Sequence, residues 1–332
     1  MILVTGAAGY IGSHCVLRLL EENYDVVVFD NLSKGHIETI NKLKKYGKLE
    51  FIKGDLVNKE DIKKIFDFKI DAVVHFASLS EVENSIKEPI KYYHNNVVGT
   101  LNLLDEMIRN DVKKIVFSST ASIYGEPQYI PIDENHPKNP INPYGNTKLI
   151  IEKMLDDFDM AYNLKSVRLR YFNVVGADSK TRTGEWHDNE THLVPNILKS
   201  AIVKNKTFKI FGDDYNTKDG TCIRDYIDIK DLISAHILAL EYLLKNKKTN
   251  CFNLGTNNGN SVKEVFDICQ KVLNKKIDVK IEARRKGDPE VLVADNKKVK
   301  EVLGWNNKKS LYDSIKSAYE WEKKLSKINK QD

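Results

Sequence analysis

The sequence is short of cysteine: four in 332 residues, at positions 15, 222, 251 and 269, with no CxxC or other close spacing. That argues against a disulfide framework and leaves reduced thiols in a cytoplasmic protein as the expectation. No apolar run approaches the ~20 residues needed to span a bilayer. The N-terminus, Met1-Ile2-Leu3-Val4-Thr5-Gly6, has no basic stretch ahead of its apolar residues, so it reads as a first strand and not as a secretion signal. Neither sign of charge dominates, since 52 basic against 47 acidic residues leave a net charge of +5 spread along the chain. Lysine-rich stretches such as 323–330 read as solvated helix faces and a tail. No basic block is interleaved with aromatics, so neither a nucleic-acid nor a membrane partner is expected. No fixed-period repeat or low-complexity linker divides the chain.

What is present is alternation. Short β-branched apolar runs at 1–5, 25–29, 50–53, 72–76, 114–118 and 166–170 are separated by amphipathic segments at 11–22, 59–66, 92–110 and 143–162. Strands of four to six residues alternating with longer helices imply βαβ units, and right-handed crossovers make a doubly wound parallel α/β sheet. After Asn173 the rhythm changes. A polar loop with two glycines (176–187) precedes a helix (193–204), a short strand (207–211) and a hairpin-like stretch around 213–221. A helix (230–244), a strand (252–254) and smaller αβ pieces follow. Residues 1–173 are therefore expected to form a Rossmann domain and 174–332 a smaller α/β domain, with a cleft between them.

Gly6-Ala7-Ala8-Gly9-Tyr10-Ile11-Gly12 directly follows the first strand and opens the first helix. Glycines there allow a tight turn, close approach of backbone to a pyrophosphate, and close helix–strand packing. Asp30 ends the next strand, 18 residues past Gly12. A carboxylate there accepts ribose hydroxyls and repels a 2′-phosphate, which favours NAD over NADP, although Lys34 stands close by in sequence.

Tyr144 and Lys148 lie at i and i+4 on a helix that Pro143 can begin. The pattern alone carries little, because Tyr226/Lys230, Tyr312/Lys316 and Tyr319/Lys323 repeat it. Ser118-Ser119-Thr120, at the end of the fifth strand, singles out Tyr144: in a doubly wound sheet the ligand crevice lies at the carboxyl ends of the strands. Oxidising an alcohol needs a base for its proton. A phenol near its ordinary pKa of ~10 is a poor one, so Lys148 and a positive nicotinamide are expected to lower it, with Thr120 sharing the proton. Tyr144, Lys148 and Thr120 are the expected catalytic residues.

The glycine spacing resembles that of the extended short-chain dehydrogenase/reductases. The blocks Phe117–Gly125, Asn142–Lys148, Tyr171–Gly176, Phe211–Thr221, Arg224-Asp225-Tyr226 and Arg284–Pro289 are similar to the UDP-galactose 4-epimerase family, from Gly6 to Asp295. The resemblance implies an NAD cofactor, a UDP-sugar substrate, a homodimer built on the 92–110 and 143–162 helices, and inversion of a hexose at C4 through a 4-keto sugar. It places NAD against Gly6, Gly9, Tyr10, Ile11, Gly12, Asp30, Asn31, Asp55, Leu56, Phe76, Ala77, Asn95, Ser118, Tyr144, Lys148 and Tyr171. In it Asn173, Arg224 and Arg285 grip the diphosphate, Lys209 and Phe211 flank uracil, Asp288 takes the uridine ribose, and His192 and Leu193 lie beside diphosphate and ribose. Thr120, Tyr144 and Leu292 meet the sugar. Residues 187–192, His-Asp-Asn-Glu-Thr-His, hold plausible metal ligands, but their spacing fits no standard zinc or iron motif and no metal is expected.

Two positions depart from the family pattern. Ser80 stands where a lysine often contacts the cofactor phosphates, which weakens NAD retention. Leu292 replaces a gatekeeper whose size admits or excludes an N-acetyl group, so UDP-glucose and UDP-galactose are the expected main pair. UDP-GlcNAc, UDP-pentoses and UDP-uronates stay open as substrates, as does, more distantly, a non-catalytic NAD-binding regulator. A 4,6-dehydratase needs an acid/base pair after the Thr, and Ala121-Ser122 supply none.

Overall fold

Runs of Val, Ile and Leu with almost no polar interruption can be strands only if both faces are covered. The computed structural model describes residues 1–188, 190–202, 207–284 and 289–328. In it β1 (Ile2–Thr5), β2 (Val26–Asp30), β4 (Ala72–His75), β5 (Lys114–Thr120) and β6 (Lys165–Tyr171) are mostly buried, while the edge strand β3 (Leu49–Lys53) buries only Leu49. Next in the chain come β7 (Asn173–Val175), β8 (Phe208–Phe211), β9 (Ile223–Asp228) and β10 (Asn250–Leu254), then β11 (Gly259–Ser261), β12 (Val279–Glu282) and β13 (Val291–Leu292). Seven strands form one parallel sheet in the order β3-β2-β1-β4-β5-β6-β10. The order reverses direction between β1 and β4, which opens a crevice at their carboxyl ends.

One apolar core packs the Tyr10–Glu21 and Ile229–Leu244 helices on one sheet face, and another packs Gly99–Arg109 and Pro143–Tyr162 on the other. A third core, around Val194, Ile197, Phe208, Val265, Phe266 and Ile315, belongs to the smaller layer. There β9 pairs with β7 and β13 in parallel and with β11 antiparallel, while β8 pairs with β12. Residues 229–254 cross the expected division after residue 173. Their helix is apolar nearly all round and packs in the first core, and β10 extends the large sheet beside β6. Strand pairing at a sequence separation of about 80 residues leaves no local trace in the sequence.

Three local expectations change. The 92–110 helix is two α-helices, Pro89–Tyr92 and Gly99–Arg109, joined by a π-helical turn at Tyr93–Val98. The buried Asn96 side chain fills that turn, bonding Leu79 through both backbone groups and Thr147 Oγ1. The 59–66 helix tightens into a 3₁₀ turn after Lys63. The 213–221 stretch is a compact loop and not a hairpin. It is closed by Tyr215 N–H donating to the Gly220 carbonyl (2.9 Å) and Thr217 Oγ1 donating to the Thr221 carbonyl (2.7 Å).

Candidate active site

The cleft runs along the carboxyl ends of β1, β2, β4, β5 and β6 and is closed from the other side by Glu185, His187, residues 191–195, Tyr226 and Leu292. At one end the glycine turn leaves β1 with Gly6 at φ +69°, a region that disfavours side chains. A Cβ on Gly6 would stand 2.6 Å from the Ala77 nitrogen, and one on Gly12 would strike the Gly6 carbonyl. The turn thus packs tightly on the strand ends and opens the Tyr10–Glu21 helix at the cleft, a position suited to a pyrophosphate.

Asp30 ends β2 with Oδ2 accepting from Ala8 N–H (2.9 Å) and Oδ1 from Leu32 N–H (2.8 Å). Burial pushes its carboxyl up while these bonds hold it down. Each oxygen keeps a lone pair for a ribose hydroxyl. Lys34, whose charge could have welcomed a 2′-phosphate, instead pairs with Glu81 at 2.8 Å. Asn31 donates to Asp55 Oδ2 (2.9 Å) across the ends of β2 and β3. Gly9, Tyr10, Ile11, Leu56, Phe76, Ala77, Ser80 and Asn95 line the same end. This set fits NAD, and when bound NAD supplies a hydride acceptor that becomes a hydride donor.

At the other end the Pro143–Tyr162 helix is capped by Asn142, whose Oδ1 accepts from Gly145 N–H (2.8 Å). Tyr144 and Lys148 face β5 from one side of this helix, and both are buried. Thr120 stands close enough to the Tyr144 hydroxyl to favour its ionised form, and Lys148 Nζ donates to the Ser118 carbonyl at 2.9 Å. Ser118 Oγ and the Tyr171 hydroxyl are 2.5 Å apart. Burial pushes the Tyr144 phenol up to about 12, against the pull of Thr120. Burial likewise drives Lys148 down to about 7, with Glu152 opposing.

The expected lowering of the phenol by Lys148 is therefore not met by the protein's own groups. The ammonium sits 5.9 Å from the Tyr144 ring centre and is itself pushed toward neutrality. A phenolate here needs a further positive charge brought into the cleft.

Behind the site Glu152, on the same helix, is held by Arg170 Nη2 (2.6 Å), Arg170 Nε (2.9 Å) and Ser119 Oγ (2.6 Å). This buried pair and Asn96 fix the helix carrying Tyr144 against β5 and β6. Neither was expected, because their partners lie far away in sequence.

Asn173, His192, Leu193 and Leu292 line the cleft. Leu292 packs over Ala121, Ile123, Tyr124 and Ile132. Lys209, Phe211 and Arg224 do not line the described part of the cleft. Lys209 pairs with Glu282 at 3.2 Å on the exposed side of β8, and the Arg224 guanidinium donates to the Ile223 carbonyl at 2.9 Å. Arg285 and Asp288 lie outside the described residues. The loop before the Leu193–Ile202 helix adds Glu185, which pairs with His192 Nδ1 at 2.6 Å. Its position two residues before His187 was the available signal.

The geometry agrees with comparisons to known proteins. A family model described as GDP-mannose 4,6 dehydratase matches residues 3–318. The UDP-glucose 4-epimerase of Halalkalibacterium halodurans is 50% identical over 97% of this chain and 95% of that protein. The crystal structure of the Bifidobacterium longum UDP-glucose 4-epimerase with NAD+ and UDP matches at TM-score 0.93 and 36% identity, covering 98% of each chain. The UDP-Glc/GlcNAc 4-epimerase of Campylobacter jejuni matches at TM-score 0.85 and 44% identity, over 97% of this chain and 99% of that one. Identity at this level over nearly the whole chain, on a cleft with these groups in place, shows that the chain belongs to the UDP-glucose 4-epimerase family of the extended short-chain dehydrogenase/reductases.

Proposed function

We infer that the protein is an isomerase that interconverts UDP-glucose and UDP-galactose by inverting C4 with bound NAD. The observation that carries this is the buried Tyr144–Thr120 pair with Lys148, in the same cleft as the Gly6–Gly12 cradle and Asp30. Tyr144 Oη accepts the proton of the 4-hydroxyl and returns it to the 4-keto oxygen, so one group serves both directions and no net proton is consumed. Thr120 Oγ1 holds the reacting oxygen against Tyr144 and shares the proton. Lys148, anchored on the Ser118 carbonyl, is buried beside the Tyr144 ring, and the positive charge that lowers the phenol is the bound cofactor's. Ala121 and Ser122, which follow Thr120, offer no acid or base for eliminating water, so dehydration has no machinery here despite the name of the matching family model.

For the substrate, Asn173, His192 and Leu193 face the diphosphate and ribose, and Arg224, with Arg285, is the proposed diphosphate grip. Arg224 shares a face of β9 with Tyr226, which lines the cleft, so a change of rotamer brings its guanidinium within reach. Lys209, Phe211 and Asp288 are proposed for the uridine end. The direct test is incubation with UDP-galactose and no added NAD, with UDP-glucose followed by a coupled assay. Approach to equilibrium is expected, and no product even with NAD present sinks the hexose reading.

Leu292 sets the sugar specificity in this proposal. Its bulk is intermediate, so UDP-glucose and UDP-galactose are the main pair. Leu292→Ser is expected to raise kcat/KM for UDP-GlcNAc by roughly 10-fold, and Leu292→Tyr to abolish that activity while sparing UDP-galactose. Equal efficiency for the two sugars in the unchanged protein contradicts the assignment.

A homodimer is proposed on the face that carries the Pro89–Tyr92 and Gly99–Arg109 helices. Ile86, Ile90, Tyr93, Val98 and Leu101 are exposed there, and apolar side chains clustered on adjoining helices are the usual mark of a helix-bundle contact. Val98→Glu with Leu101→Glu, three residues apart on one face, is expected to halve the mass measured by light scattering.

A further inference from the structure

Glu185, His187, Glu190 and His192 each offer one ligand atom, and these atoms all lie within 4.8 Å of one another. His187 Nδ1 stands 3.4 Å from Glu185 Oε1 and 3.7 Å from Glu190 Oε2, and His192 Nδ1 stands 3.2 Å from Glu190 Oε1. A tetrahedral ion with metal–ligand bonds of 2.0–2.1 Å separates its ligands by about 3.3–3.4 Å. Of the four histidine–carboxylate spacings, three lie within a few tenths of an ångström of that edge, with Glu190 facing His192 through Oε1 and His187 through Oε2. The fourth, His192 Nδ1 to Glu185 Oε1 at 2.6 Å, is a direct hydrogen bond that must open by less than 1 Å. From the geometry of this Glu-x-His-x₂-Glu-x-His cluster, we propose that it is a structural site for one divalent transition-metal ion of the zinc class.

The donor set suits the ion. Two imidazole nitrogens disfavour calcium and magnesium, which take oxygen ligands, and two carboxylates neutralise the ion's charge. The surroundings call for a cation. Glu185 and Glu322 are buried, the Glu190 side chain is 5% exposed, Glu185 and Glu190 both push the Glu322 carboxyl up, and Lys199, 3.4 Å from Glu190 Oε2, is a permanently charged partner. The ligands are also held from outside, as ligating groups usually are. Trp321 Nε1 donates to the Glu185 carbonyl at 2.7 Å, its ring stands where a side chain on Gly184 would have to go, and the Thr191 and His192 N–H groups donate to Glu190 Oε1 at 2.9 Å.

The spacing fits no standard motif, which is why the sequence pointed away from a metal. Glu185 is the fourth donor that the 187–192 stretch lacked. With four protein ligands the site is closed and does no chemistry of its own. It fastens the loop that carries His192 and Leu193 over the cleft, and coordination through Nδ1 leaves His192 Nε2 for a ligand.

The test begins with protein stripped by a chelator, dialysed against Zn²⁺, desalted and analysed for metal. One zinc per chain is expected, falling to none in His187→Ala and in Glu190→Ala. Replacing zinc with Co²⁺ reports the geometry without any variant, because a four-coordinate site gives an intense visible absorption and a six-coordinate one does not. Calorimetric titration with UDP is expected to show binding several-fold weaker after stripping, restored by zinc. If the unchanged protein retains no zinc, or if both folded variants retain one equivalent, the cluster is an ion-pair group of two protonated histidines and the proposal is overturned. If zinc is retained but UDP affinity does not change, the fastening role falls.

Discussion

Tyr144→Phe is expected to lower kcat for UDP-galactose by about 10²- to 10⁴-fold, the range for removing a positioned acid–base group, while KM changes little. The substitution deletes only the hydroxyl beside Thr120, and the ring keeps its buried seat between β5 and the helix. A companion measurement separates the base from its surroundings. Burial holds this phenol at about 12 and Lys148 at about 7, so the cofactor-depleted protein should show no Tyr144 phenolate absorbance between about pH 6 and 9. Loading NAD should bring part of that absorbance into the window, and Tyr144→Phe should remove it. A variant that keeps more than about a tenth of the activity would place the base elsewhere.

Glu152→Ala is expected to cost about 3–5 kcal/mol, because it strands the Arg170 guanidinium in the protein interior. Arg170 and Glu152 are 2% and 3% exposed at their side chains, so water cannot replace the lost partner. For a chain of this length that corresponds to a fall in Tm of roughly 5 °C. Adding Arg170→Met should recover much of the loss, since removing both charges leaves none unpaired. If Glu152→Ala and the double variant melt together near the unchanged protein, the pair does not hold the helix. Activity should fall more than stability alone explains, because Glu152 fastens the helix that carries Tyr144.

How far the sequence could be read follows from the range of the interactions. The strands β1 to β6 were legible because an all-parallel sheet buried on both faces demands uninterrupted apolar runs, and the run around Val26–Phe29 has no other use. The glycine turn was legible because backbone contact at Gly6 and Gly12 tolerates no Cβ. The Tyr144 helix announced itself through Pro143, which can begin it. The π-helical turn at Tyr93–Val98 was not legible, because it is held by Asn96 bonding Leu79 and Thr147, contacts that exist only after the fold forms. The same holds for Glu152 with Arg170, and for Glu185, whose importance depends on a loop closing back on itself. Lys209, Phe211 and Arg224 show the reverse: motif positions put them at the substrate, while none of the three lines the described part of the cleft.

The central claim is that C4 is oxidised and reduced within one active site, with the same hydride returned. UDP-galactose carrying deuterium at C4, incubated in ordinary water without added NAD, tests it most directly. UDP-glucose that retains the deuterium at C4 is the predicted product, by mass spectrometry and proton NMR. Product that has lost the deuterium to solvent would instead mean proton abstraction at carbon. That result would contradict the roles of Tyr144 and Thr120 at the 4-hydroxyl and of the NAD cradle in hydride transfer.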